Sequence, residues 1–339
     1  MTNYNDFAIE NNVLIKYTGK DAEIAIPDGV IGVGDDAFRG CITLMSIEIP
    51  NSVTHIGFQA FSYCSNLQNI NMPDSITSIG ELAFFACANL PNITIPYNVT
   101  NIGRGAFNRC SSLKSIAVSE DNGFYKNING NLYTKDGSTL IQYSIGQGAS
   151  SFDIPIGVKR IDFQAFGGCE SLAQVSIPHS VEYIDDVAFG DCINLKSITI
   201  PDSVTHIGNN SFCNCKKLKS VALSKNIPHI SDMMFYKCSS LTNLEIPEGV
   251  IQIGYAAFSQ CENLEHITLP ESIASIGDSA FAYCENLKCL ELSNNINHMG
   301  DYLFEGCKGV TIIAPSNSYA EYYVSKRKSI KFVAKEKQK

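Results

Sequence analysis

The sequence lacks the features that mark several large classes of protein. It has no stretch of about 18 consecutive apolar residues, so we expect no insertion into a membrane. Its start, MTNYNDFAIENN, has no basic region followed by an apolar run, so no signal peptide is predicted from these residues. Lys and Arg number 25 against 34 Asp and Glu, a net charge of -9, which argues against nucleic acid as a partner. As written, the chain is expected to be cytoplasmic, or at the cell surface or secreted if a leader was removed.

Motifs of catalysis are also missing. The chain contains no H-E-x-x-H, no G-x-S-x-G and no Walker-type lysine. The GVGDDA at 32–37 imitates a dinucleotide-binding loop, but no helical pattern follows it. We therefore expect no enzyme and no cofactor.

What the sequence contains instead is a repeat with a 23-residue period, written I-P-x-x-[VI]-x-x-I-G-x-x-A-F-x-x-C-x-x-L-x-x-I. One step in the series, from Phe107 to Phe166, is longer than the others because another segment interrupts it. A fixed period of this length predicts a solenoid, because one coil cannot bury its apolar side alone and stacking completes the core. The repeat phenylalanines indicate eleven coils: Phe38, Phe61, Phe84, Phe107, Phe166, Phe189, Phe212, Phe235, Phe258, Phe281 and Phe304.

Each coil contains one predicted strand. In LQNINM the apolar residues Leu67, Ile70 and Met72 are expected to face inward and the residues between them outward. Stacked strands of this kind form a parallel sheet about 50 Å long. A Pro follows the strand in nine coils, where its missing N–H ends the pairing and the chain turns.

The glycine of the repeated Ile-Gly pair is expected to need a positive φ. Asp162 and Asp185 replace it with a residue that tolerates that region better than most, and Ser231 is an exception.

This repeat resembles the BspA-like leucine-rich repeats, whose copies read much like IPxSVTxIGxxAFxxCxxLxxIxI. The resemblance covers about residues 24 to 314. It implies an α/β repeat fold: a right-handed leucine-rich repeat solenoid of eleven coils with a parallel concave β-sheet and short helical turns on the other side. It also implies a role in binding host or matrix proteins, often at a cell surface.

The pattern divides the chain into five segments. Residues 1–25 are predicted to be an N-terminal β cap and 26–118 to form coils 1 to 4. Residues 119–154 interrupt the repeat with a hairpin around Asp136 and Gly137, where KDGS is typical of a tight turn. Residues 155–314 form coils 5 to 11, and 315–339 form a C-terminal cap and basic tail.

Cysteine and histidine recur in the repeat without forming a recognisable site. Eleven of thirteen cysteines hold one repeat position, where equivalent thiols point the same way, so free and buried thiols are expected. Cys213 and Cys289 fall outside it, and a lone C-x-C does not indicate zinc. His206 and His229 share one slot on adjacent coils, yet no Asp or Glu recurs beside them to complete a ligand set. No metal site is predicted.

The outward positions of the strands are the remaining candidates for function. They carry small polar residues on a continuous surface, which is where solenoids bind partners. The predicted partner site consists of Gln68, Asn69, Asn71, Asn92, Thr94, Gln174 and Ser176. We expect a monomeric, non-catalytic scaffold that binds protein or glycan, with adhesion as one role. The alternatives are a structural solenoid that assembles end to end, or an accessory domain of an enzyme.

Overall fold

The computed structural model describes residues 4–327 and 329–335. It separates the chain into two compact units, each of which is a stack of coils. Unit 1 comprises Met1–Gly148 and Asp162–Cys169, and unit 2 comprises Ala149–Ile161 and Glu170–Lys339. The predicted parallel leucine-rich repeat solenoid is confirmed, with about 14 turns where the sequence predicted eleven coils.

Unit 1 is built from short strands. Two 3₁₀ turns lie at Tyr4–Asp6 and Ile145–Gln147. The strands are β1 (Phe7–Glu10), β2 (Val13–Tyr17), β3 (Glu23–Ala25), β4 (Gly32–Val33), β5 (Ser46–Glu48), β6 (His55–Ile56), β7 (Asn69–Ile70), β8 (Ser78–Ile79), β9 (Asn92–Ile95), β10 (Asn101–Ile102), β11 (Ser115–Val118), β12 (Tyr125–Ile128), β13 (Asn131–Thr134) and β14 (Thr139–Gln142).

The strands of unit 1 pair mainly in parallel. Strand β1 is antiparallel to β2, and β4, β6, β8 and β10 continue from β2 in parallel. Strands β3, β5 and β7 form a second parallel sheet, and β9 pairs with β11. Strands β12, β13 and β14 form an antiparallel meander.

Unit 2 repeats this construction and ends in a helix and a strand. Its first strands are β15 (Ser151–Asp153), β16 (Arg160–Ile161), β17 (Gln174–Ser176), β18 (Tyr183–Ile184), β19 (Ser197–Thr199), β20 (His206–Ile207), β21 (Ser220–Ala222) and β22 (His229–Ile230). The remaining elements are β23 (Asn243–Glu245), β24 (Gln252–Ile253), β25 (His266–Thr268), β26 (Ser275–Ile276), β27 (Cys289–Glu291), β28 (His298–Met299), β29 (Thr311–Ala314), α1 (Tyr319–Ser325) and β30 (Lys331–Ala334).

Each regular coil contains two strands, of which the sequence analysis predicted one. The predicted strand, which we call the Leu strand, is exemplified by β7 and β17. The other, which we call the Ile strand, is exemplified by β8 and β20. In β8 and β20 the first residue is partly exposed and the following Ile is buried. Each of these two-residue strands pairs in register with its neighbour, as β8 does with β6.

The repeat phenylalanines form stacked columns inside each unit. The rings of Phe61 and Phe84 are 5.2 Å apart in unit 1, and those of Phe189 and Phe212 are 5.3 Å apart in unit 2. Tyr143, which lies one repeat period before Phe166, stacks on that ring at 5.1 Å. The segment between the fourth and fifth predicted coils therefore contributes a turn of its own, with Tyr in the place of Phe.

The segments around the repeat Phe are successive turns rather than the short helical turns that the resemblance implied. Gln59 and Tyr63 have φ angles of 50° and 62°, and the positions two before and two after Phe are left-handed in coil after coil. Even the β-branched Val187 adopts this conformation, with φ at 57°. The alternation turns every second N–H toward the next coil, as in the bond from Phe61 N to Ala83 O at 2.8 Å. These bonds along the stack replace those of a helix.

The prediction that the Ile-Gly glycine needs a positive φ is wrong. Gly80 and its equivalents lie outside the left-handed region, as do Asp162, Asp185 and Ser231. A Cβ at Gly80 would lie 2.5 Å from the carbonyl carbon of Gly57 in the preceding coil. Glycine is favoured there because the backbones of successive coils come close together, and not because of its conformational freedom.

The repeat prolines do turn the chain. The carbonyl of each of the nine prolines accepts a hydrogen bond from the N–H of the residue three positions later. In one example, the Val53 N–H donates to the Pro50 carbonyl oxygen at 3.1 Å. At the other end of unit 2, α1 and β30 follow the last coil, and β30 pairs in parallel with β29. Lys328 and residues 336–339 of the predicted basic tail lie outside the described residues.

Candidate functional site

The predicted partner residues fall into two groups, one in each unit, and each group lies on the outward side of Leu strands. In unit 1, Gln68, Asn69, Asn92 and Thr94 are all exposed. Asn69 is in register with Ser46 of the preceding strand, and Asn92 with Ser115 of the following one. Register fixes their backbone positions, so these polar side chains stand at one-coil intervals of roughly 4.8 Å.

Asn71 lies in the same stretch but already has a structural role. Its Oδ1 accepts from the N–H of Ile49 at 2.6 Å, and its Nδ2 donates to the carbonyl of Ile49 at 3.0 Å. The amide thus takes the place of a strand partner where the pairing of β5 and β7 ends. Sequence pattern does not reveal this, because an outward Asn that replaces a backbone partner has the same spacing as one that faces solvent.

The group in unit 2 lies in a shallow recess. Gln174 and Ser176 are exposed, and they line a cavity of about 320 Å³ together with Ser197, Thr199 and Pro201. Gln174 is in register with Ser197. Hydroxyl and amide groups dominate this lining, so the recess presents hydrogen-bond donors and acceptors without a net charge.

Hydrogen bonds to Asp136 stabilise the tip of the hairpin in unit 1. Strands β13 and β14 flank Asp136 and Gly137, and Gly137 has a φ of 80°. Hydrogen bonds from Thr134 Oγ1 at 2.6 Å and from the N–H of Ser138 at 3.0 Å lower the pKa of the Asp136 carboxyl to about 2. The Asp136 carboxylate therefore stabilises the turn by accepting these two hydrogen bonds.

The repeat cysteines are free thiols, and the structure shows what their S–H groups do. Cys64 Sγ lies 3.1 Å from the carbonyl oxygen of Phe38, one coil earlier, and donates to it. Burial raises the pKa of the Cys64 thiol to about 12 and that of Cys307 to about 11. A thiol of this kind is protonated near neutral pH, so it is a poor nucleophile and a poor metal ligand.

The sequence analysis missed a second polar cluster, around the paired histidines. The sequence predicted that no Asp or Glu recurs beside His206 and His229 to complete a ligand set, but Asp186 and Asp232 line the same cavity of about 320 Å³ as these histidines. The signal in the sequence was an Asp or Asn directly after the glycine slot in six of the eleven repeats: Asp35, Asp186, Asn209, Asp232, Asp278 and Asp301. Even so, in the described ranges no group of three or more His, Cys, Asp or Glu is placed to hold a metal ion.

Two-strand coils with Leu and Ile columns, stacked in parallel with one sequence repeat per coil, define a leucine-rich repeat protein. The chain belongs to the family of the BspA type leucine rich repeat region, whose model matches residues 8–135, 145–264 and 228–332.

Solved bacterial leucine-rich repeat proteins have similar structures. One from Eubacterium ventriosum has a TM-score of 0.76 and 25% identity, over 87% of this chain and 88% of that one. One from Bacteroides ovatus has a TM-score of 0.54 and 27% identity, over 99% and 97%. A leucine rich cell surface protein from Faecalibacterium prausnitzii has a TM-score of 0.54 and 27% identity, over 94% of each chain.

A search of curated proteins gave no match. The fold is consistent with a binding or scaffold role, and the family is generally non-catalytic. No helix in residues 4–327 and 329–335 is long and apolar enough to cross a bilayer.

Proposed function

We propose that this chain is a non-catalytic, monomeric interaction scaffold that binds a protein or glycan through the outward face of its Leu strands. We call this surface the Leu-strand face. One observation carries the proposal: exposed polar side chains such as Asn69 and Asn92 stand in fixed register on a backbone whose other side is committed to the core.

The chemistry of this face favours an extended, polar partner. The face offers amides and hydroxyls at regular intervals, with recesses such as the one around Gln174 and Ser176. Large aromatic anchors, which dominate tight interfaces, do not occur among the predicted contact residues. Many weak contacts along successive coils would therefore supply the affinity, and adhesion is the biological role that such binding serves best.

Charge substitution on the face tests this proposal. The variant Asn69→Arg, Asn92→Arg, Gln174→Arg should keep the fold, since all three side chains are exposed. It should weaken binding to a partner that the unaltered chain retrieves in a pull-down by about tenfold or more, because it adds bulk and charge at the contact.

A matched variant controls for the added charge. Asn101→Arg, Asn294→Arg, Asn297→Arg also places three arginines at exposed asparagines, but outside the Leu strands. It should bind like the unaltered chain. The proposal is wrong if the first variant binds normally and the matched variant does not.

A further inference from the structure

A second polar surface in unit 2 lies over the Ile strands, where the outward side chains and a row of Asp and Asn residues enclose a trough. We call it the His trough. Its volume is about 320 Å³. Its lining includes Asp186, His206, Asn209, His229 and Asp232.

One wall of the His trough is a ladder of side-chain oxygens that bind the backbone of the next coil. Asp186 Oδ1 accepts from the N–H of Asn209 at 2.7 Å, and Asn209 Oδ1 accepts from the N–H of Asp232 at 3.1 Å. Asp232 Oδ1 in turn accepts from the N–H of Tyr255 at 2.7 Å. Each bond fixes its side chain, and each carboxylate keeps capacity to accept further hydrogen bonds.

His206, which lines the His trough, belongs to a stack of planar groups that continues beyond the trough. The guanidinium of Arg160 lies 4.2 Å from the centroid of the Tyr183 ring, and that ring stacks on His206 at 4.1 Å with an interplanar angle of 12°. Arg160 also pairs with the carboxylate of Asp185. Next to the trough, therefore, a guanidinium already lies on an aromatic ring and pairs with a neighbouring carboxylate.

The same arrangement recurs four repeats further along unit 2. The equivalent groups are Asp278, His298, Gly300 and Asp301, which line a cavity of about 210 Å³ with residues from the C-terminal segment. There the guanidinium of Arg327 lies 3.7 Å from the centroid of the Tyr323 ring, and its Nη2 is 3.0 Å from Asp301 Oδ1. The Tyr323 hydroxyl donates to the carbonyl of Gly300 at 2.8 Å.

The charge of the His trough is negative near neutral pH. Its described lining includes the carboxylates of Asp186 and Asp232 and no Lys or Arg. Burial, and then the proximity of His229, lower the pKa of His206 below its ordinary value. The lowered pKa favours the neutral form of the His206 imidazole.

We infer that the His trough binds the guanidinium of an arginine in a basic segment of a partner protein. Planar imidazoles provide a surface on which a guanidinium can stack, and the carboxylates accept its N–H groups. Two guanidiniums of this chain, those of Arg160 and Arg327, already lie on a Tyr ring and pair with an Asp carboxylate. The inference concerns a different face from the Leu-strand face and does not depend on it.

The test uses the full chain and an acetylated, amidated peptide that carries Tyr-Arg pairs separated by glycine. Its control is the same peptide with citrulline in place of arginine, which keeps the shape and removes the charge. The arginine peptide should shift the imidazole NMR signals of His206 and His229 and leave that of His55 in unit 1 unchanged. Equal binding of the citrulline peptide would overturn the inference.

A double variant tests the two carboxylates. Asp186→Asn, Asp232→Asn should weaken the arginine peptide by about tenfold or more, since one partner of each close charge pair is removed. The fold should survive, because Asn209 already makes the same bond with an amide oxygen. The matched control is Asp35→Asn, at the equivalent position in unit 1, where Oδ1 accepts from the N–H of Phe58 at 2.7 Å. Unchanged affinity in the double variant would contradict the site. The triple arginine variant of the Leu-strand face should bind the peptide normally, which separates failure of this inference from failure of the proposed function.

Discussion

The thiol of Cys87 donates to the carbonyl oxygen of Phe61 in the preceding coil, with Sγ and O 3.1 Å apart. The same bond joins Cys110 to Phe84, and Cys238 to Phe212. Phe fills the interior of one coil, and its carbonyl accepts both the N–H of the Cys three residues later and the S–H of the Cys in the next coil. This relationship explains why the two residues recur together, three apart, in every copy of the repeat.

The first prediction concerns the reactivity of these thiols. Nine cysteines are buried, and Cys41, Cys213, Cys289 and Cys307 are half-buried. A thiol reagent at pH 7 should label at most these four in the native chain and close to all thirteen after denaturation. Labelling followed by mass spectrometry identifies the sites. Several native disulfides, or rapid labelling of Cys238, would contradict the assignment of the repeat cysteines as buried free thiols.

The second prediction concerns the aromatic column of unit 2. Phe212→Ala should cost roughly 3 to 5 kcal/mol, because it removes a buried ring that stacks on Phe189 and on Phe235. Coupling in a repeat stack passes between nearest neighbours. Hydrogen exchange should therefore rise most around those two rings and least near Phe304.

Tyr255→Ala, a loss of an exposed ring in the same unit, is the control for this variant and should cost far less. A uniform rise in exchange along unit 2 would show that the coils unfold as one block.

The third prediction concerns the close approach of successive backbones. Gly80→Ala should destabilise the chain by about 1 to 3 kcal/mol, since its Cβ would meet the Gly57 carbonyl group. Gly123→Ala is a suitable control, because a Cβ there would meet nothing within 4 Å. Urea denaturation measures both. An equal free energy of unfolding for the two variants would mean that the backbones at Gly80 and Gly57 are not tightly packed.

The fourth prediction concerns the titration of His206. His229→Gln should raise the pKa of His206 and Asp186→Asn should lower it further, because His229 disfavours and Asp186 favours the charged imidazole. Asp185 and Arg160 also face this ring, and the former raises and the latter lowers the pKa. Imidazole NMR signals followed against pH give the values, and shifts in the opposite directions would contradict the geometry.

The stability consequence of the His206 shift has a defined sign. The folded pKa lies below the unfolded value, so the folded state binds this proton less readily. The free energy of unfolding is therefore unaffected by His206 well above the unfolded pKa, and it falls as the pH drops through that value toward the folded pKa.

The repeat period and the Leu strands were predictable because they depend on apolar spacing. Leu67 is buried and Asn69 is exposed, as the pattern of that strand indicates. The Leu column, the Phe column and the proline turns all rest on side-chain type, which the sequence states directly.

Features that depend on contacts between coils were not predictable in the same way. The left-handed positions hold residues as different as Gln59, Leu82 and Val187, so no residue preference marks them. Their conformation follows from hydrogen bonds to the next coil. The His trough was missed for a related reason: Asp186 and Asp232 are two repeats apart in the sequence and meet the histidines only in the stacked fold.

Photo-crosslinking tests the central claim about the Leu-strand face most directly. A photoreactive phenylalanine derivative is placed at Asn92 or Gln174 on that face, or at Asn101 or Asn297 outside it, one position per variant. Each variant is irradiated with the partner that the unaltered chain retrieves, and adducts are located by mass spectrometry. Adducts from Asn92 and Gln174, with none from Asn101 and Asn297, are the predicted result; adducts from the latter pair alone would contradict the account.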